Sequence, residues 1–249
     1  MLQLFGLDLA LGSLLGLWLT PLRLIGRGFW WLMLGIAAVG LAPSLLPGAA
    51  GPRAAAFLAL ALLALALALS FAEAAWRFAV PAAGAAAAAL LWLRVDASPL
   101  KAWIGVPDAL LAALLVGGAN FAMLFGHWYL VIHGLKLDPF RRAARLLIGF
   151  TAARVALLAL GLAVYWNARP EGRLMPLHVY LLSGPGQLFF AQRVLYGILA
   201  TVPLAVMASK CADLRNTQSA TGILYALELA VLVGEGLSRH LTVVTGLPL

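Results

Sequence analysis

The sequence predicts an all-α, polytopic transmembrane bundle of about eight helices, and three observations carry that reading. Hydrophobic residues make up 64% of the 249 and charged residues only 10%, with a mean hydropathy of +1.00; soluble domains are about a quarter charged. The apolar residues fall in continuous runs close to the roughly 20 needed to cross a bilayer, not in the short alternating segments of a β-barrel. Lys and Arg gather in the short connections between those runs, as topology requires. No stretch reads as a soluble domain, so residues 1–249 form a single integral-membrane domain, with no internal repeat clear enough to divide it.

Each element follows from these signals. The first span runs from Leu4 to about Leu22, closed by Pro21, Arg23 and Arg27. It lacks the basic leader and the small-residue cleavage site of a signal peptide, so it is read as a retained helix. The second runs from Gly28 to about Pro47, with Trp30 and Trp31 as an interfacial belt. A turn at Gly51-Pro52 leads to a third span, Ala54 to about Phe71, and an Ala-rich fourth, Phe78 to about Leu93. A polar connection, Arg94 to Asp108, precedes the fifth span, Pro107 to about Val131. The most basic loop, Lys136 to Arg145, leads into the sixth, Leu146 to about Trp166. The longest loop, Asn167 to Gln187, has a middle section, Met175 to Leu182, suited to the membrane surface. The seventh span is about Leu188 to Ser209, and the eighth occupies Gln218 to Arg239.

The loop charges orient the bundle. Nine Lys or Arg (Arg23, Arg27, Arg77, Lys136, Arg141, Arg142, Arg145, Lys210, Arg215) fall in one set of loops. Five (Arg53, Arg94, Lys101, Arg169, Arg173) fall in the other. The first set is expected on the cytoplasmic side of a bacterial inner membrane, with both termini periplasmic. A net charge of +8 distributed in this way is no nucleic-acid signature. The lone Cys211 excludes an internal disulfide and a Cys-based metal or iron–sulfur site within the chain.

The last span holds the most informative pattern. Gln218, Thr221, Tyr225, Glu228, Leu232, Glu235 and Arg239 recur at steps of three and four, so they line one stripe of a helix. Charges inside a bilayer are costly and normally face protein or water, so the stripe is expected to turn toward the other helices. Arg154 and Arg193 supply candidate partners. Counting about 1.5 Å per residue from the expected span edges puts Arg154 roughly 12 Å deep and Glu228 roughly 14 Å deep from the same surface. The expected pairs are therefore Arg154 with Glu228 and Arg193 with Glu235, with Arg239 competing for Glu235 from one turn away. Such pairs read either as structural links or as a ligand or proton pathway.

Asn120 and His127 lie on one face of the fifth span, and His127-Trp128-Tyr129 form an aromatic group near its end. That group reads as interfacial belt, with the wall of a quinone or lipid-headgroup site as the alternative. Haem needs two histidines at matching depth, which only His178 and His240 could satisfy. No metal-spaced motif, phosphate-binding glycine loop or nucleophile elbow is present, so no cofactor is evident, quinone and haem being the candidates. The run Thr217 to Tyr225 stands out as signature-like. These observations favour a membrane anchor or quinol-site subunit of an electron-transfer assembly, meeting the lipid bilayer and other membrane subunits, more a non-catalytic subunit than a complete enzyme. A small transporter or ion-translocating protein using the Arg/Glu stripe is the first alternative, and a ligand-free assembly or scaffold subunit the second.

Overall fold

The computed structural model describes residues 2–18, 26–45, 80–81, 84–85, 99–132, 134–169 and 175–249. Among them all regular structure is helical. The elements are α1 (Leu2–Trp18), α2 (Arg27–Leu41, continued by a 3-10 turn at Ala42–Leu45), α3 (Pro99–Val131) and α4 (Asp138–Tyr165). They are followed by the short α5 (Leu177–Leu182), α6 (Gln187–Asp213) and α7 (Thr217–Thr245). Four of these, in α3, α4, α6 and α7, are long and apolar enough to cross a membrane; α1 and α2 are shorter apolar helices. The seven helices among the described residues do not reach the expected eight. The expected third span lies outside the described residues, as does most of the fourth.

Two boundaries differ from the sequence reading. The basic stretch Lys136–Arg145 is a loop only at Lys136 and Leu137 and is helical from Asp138: Pro139 in the first turn and Asp138 at its start set the helix going, and Arg141, Arg142 and Arg145 ride on its first turns. The polar connection before the fifth span is likewise helical from Pro99, with Pro107 inside α3. α7 is bounded by clear signals. The Asn216 side chain accepts from the Ser219 amide at 3.0 Å, and Gly246 ends the helix in the left-handed conformation, φ 68°.

α3, α4, α6 and α7 form a ring in which each helix packs on two neighbours, so α4 and α7 face one another across the middle. α1 lies against α3 and α2 outside that ring. Small residues set the closest approaches, as expected where lipid tails compete with apolar side chains. A Cβ added at Gly117 of α3 would lie 2.3 Å from the Gly12 Cα of α1, and one at Gly234 of α7 would lie 2.6 Å from the Gly197 Cα of α6. At the basic end, Phe29 of α2 packs among Phe121, Phe125 and Trp128 of α3, and Phe140 of α4 closes on Phe125 and Tyr129. Leu160, Val164, Leu188, Leu199 and Met207 face outward, while the arginines described below are buried. Apolar outside and charged inside suits lipid contact, not water.

Candidate functional site

Six charged side chains from five helices form one chain of alternating sign in the interior. Arg193 of α6 meets Glu235 of α7, Nη2 to Oε1 at 3.1 Å. Glu235 is held from across the bundle by Arg154 of α4, which donates from Nε at 3.0 Å and from Nη2 at 2.8 Å. Arg154 also donates from Nη1 to Asp108 of α3 and from Nη2 to the Ser238 hydroxyl at 2.9 Å. Asp108 lies 3.6 Å from Arg239 of α7, which is bidentate on Asp8 of α1 at 2.8 and 2.9 Å. All six residues are buried. Three guanidinium groups face three carboxylates, so the chain is formally neutral, and the bidentate contacts are the strong, charge-assisted kind. Buried ion pairs of this sort repay their desolvation only through good geometry and extra hydrogen bonds, and Ser238 accepts one from Arg154.

Arg193 is seated by a local irregularity. α6 widens into a π-helical segment, Leu195–Ala200, directly after it, a feature frequent at functional sites. A Cβ at Gly197 would lie 2.1 Å from the Arg193 Nη1, so only a glycine leaves the guanidinium its place. Its Nε and Nη1 are buried without a hydrogen-bond partner among the described residues.

The expected pairings are half right. Arg193 does meet Glu235, but Arg154 also pairs with Glu235 and not with Glu228. Arg239 does not compete for Glu235; it turns to Asp8 and Asp108. The depth count failed because α4 begins at Asp138, not Leu146. Measured from the helix starts, Arg154 lies 16 residues into α4 and Glu235 lies 18 into α7, and the two helices start on the same side. Asp8 and Asp108 escaped the sequence reading. Asp8 sits alone in an apolar run, and Asp108 looked like the end of a polar connection. The available signal was charge balance: three intramembrane arginines against two glutamates required more acid nearby.

The stripe on α7 is buried at Thr221, Glu228, Glu235 and Arg239, half-buried at Leu232, and exposed at Gln218 and Tyr225. Glu228 is 6% exposed, and its Oε2 has no hydrogen-bond partner among the described residues. α3 and α7 run antiparallel in a register shown at both ends: Gly126 lies opposite Thr221, and Asp108 opposite Arg239. Seven residues along from the first pair come Ala119 and Glu228, so Asn120 lies at the level of the acid. The Asn120 Nδ2 is also buried without a partner among the described residues, as is the Thr151 hydroxyl one turn before Arg154. Beyond Glu228, His127 and Tyr225 meet, Nδ1 to Oη at 3.3 Å, both exposed. His178 stacks on Trp166, with its Nδ1 2.9 Å from the Trp166 carbonyl oxygen, and His240 lies against Phe189 with ring centroids 4.5 Å apart. Each of these two histidines therefore has its own aromatic neighbour.

No family model, no curated protein and no solved structure matches this chain.

Proposed function

We propose that the protein is a small ion-translocating membrane protein that carries protons along the α7 stripe. Glu228 carries the proposal: a carboxyl enclosed in the bundle, with an oxygen that no described group bonds. Intramembrane acids are costly and mark ion pathways by default. This one can take up and release a proton without breaking an ion pair among the described residues. The exposed His127–Tyr225 pair lies on one side of it and the neutral ionic chain on the other, so a proton has polar groups to meet in both directions. The ionic chain is the structural frame of the pathway, holding five helices in register. In this reading the protein resides in a bacterial inner membrane, with the basic turns of α4 cytoplasmic.

Proteoliposomes carrying an internal pH-sensitive dye provide the test. With a potassium gradient and valinomycin imposing a potential, the parent protein should move protons. Glu228→Gln should reduce the flux to that of empty vesicles, and Glu228→Asp should retain part of it. Equal flux in the parent and Glu228→Gln would sink the proposal.

One observation favours the quinol-site subunit as a second reading. His127 and Tyr225 present a hydrogen-bonded pair on an exposed face of α3 and α7, where a quinone carbonyl could accept from the tyrosine hydroxyl. Binding of a short-chain quinone that is lost in Tyr225→Phe and kept in Glu228→Gln would decide for that reading.

A further inference from the structure

Apart from the ionic chain, a groove of about 280 Å³ opens between α1, α3 and α4, beside the basic turns. Its walls are apolar, including Leu114, Phe121, Leu147 and Phe150, and Asp138 and Arg142 stand at its mouth. The charges at this end are distributed unevenly. Arg141 lies 3.7 Å from Asp138 and donates to the Ala212 and Asp213 carbonyl oxygens at the end of α6. Arg145 pairs with the Asp213 carboxylate at 3.1 Å. Arg142 has neither an ion pair nor a hydrogen bond among the described residues, and it is the arginine that lines the groove.

We propose that this groove holds one acyl chain of an anionic phospholipid whose phosphate is bound by Arg142. The apolar walls match a hydrocarbon chain, and the uncommitted guanidinium complements a phosphate at the depth where a headgroup sits. Basic groups beside a membrane recognise anionic lipid in this way. Asp138 does not cancel the attraction, because it is turned to Arg141.

The intact protein in detergent, mixed with phosphatidylglycerol or phosphatidylcholine of the same chain length, provides the test by native mass spectrometry. One phosphatidylglycerol should be retained per chain, preferred over phosphatidylcholine by about fivefold, the effect of one cation at a membrane surface. Arg142→Ala should lose that preference. Arg145→Ala removes the same charge from a residue outside the groove and should keep it. Leu146→Trp, at an exposed lining position, should lower retention of both lipids. Equal retention of the two lipids by the parent would overturn the proposal. So would equal loss in the two arginine variants, or a lipid-free dimer showing that a second copy fills the groove.

Discussion

Glu228 and Glu235 lie seven residues apart on one face of α7, and among the described residues only Glu235 has cations to meet it. The separation is about 10 Å along the axis, yet the two acids should answer the same substitution in opposite ways. Glu235→Gln strands Arg193 in the interior and leaves Arg154 only Asp108, and breaking a buried pair costs on the order of 3–5 kcal/mol in soluble proteins. Glu228→Gln removes no ion pair among the described residues and should leave the thermal midpoint close to that of the parent. Unfolding in detergent, followed by tryptophan emission, would show the contrast. A parent-like midpoint for Glu235→Gln would mean the ionic chain does not hold the bundle.

The link from α1 to the rest should be weaker. Arg239 is shared between Asp8 and Asp108, so Asp8→Asn leaves it one carboxylate. The loss should be that of charge-assisted hydrogen bonds, about 1.5–3 kcal/mol, smaller than for Glu235→Gln. A larger loss for Asp8→Asn would show that Asp108 does not share the cation.

The crossing of α6 and α7 should resist any added methyl group. At Gly197 the new Cβ would collide with the Arg193 guanidinium, and at Gly234 with the α6 backbone. Overpacking costs about 1–3 kcal/mol, so both Gly197→Ala and Gly234→Ala should lower the midpoint. Gly222, whose Cβ would meet nothing within 4 Å, is the control and should tolerate alanine.

Orientation is open to direct measurement. Reporter fusions after Arg142 should read cytoplasmic, and those after Arg173 periplasmic, from the bias of positive charge between the two sets of loops. The opposite pattern would invert the protein in the membrane and leave its packing as described.

Four of the expected spans and the inward-facing charges of α7 were legible because bilayer thickness and helical period act on the sequence directly. Arg154, Arg193, Glu235 and Arg239 stood out as charges in apolar surroundings, and all four proved to belong to one chain of contacts. Their pairing was not legible, because it depended on where each helix begins. Asp138-Pro139 moves the start of α4 back by two turns, which brings Arg154 level with Glu235 instead of Glu228. The part played by Asp8 was hidden for another reason: its partner is 231 residues away in sequence, and no local pattern records such a contact. The π-helical widening after Arg193 left only Gly197 as a trace, and a glycine in a membrane helix has many explanations.

The long-range tie between Asp8 and Arg239 has a consequence for biosynthesis. α1 is synthesised before α7. Asp8 therefore enters the membrane well before its guanidinium exists, while Asp108 and Arg154 can already neutralise one another and Arg193 waits for Glu235. The arrival of α7 delivers Glu235 and Arg239 together and satisfies Asp8 and Arg193 in one event. Until then Asp8 and Arg193 lack the partners that hold them in the folded protein.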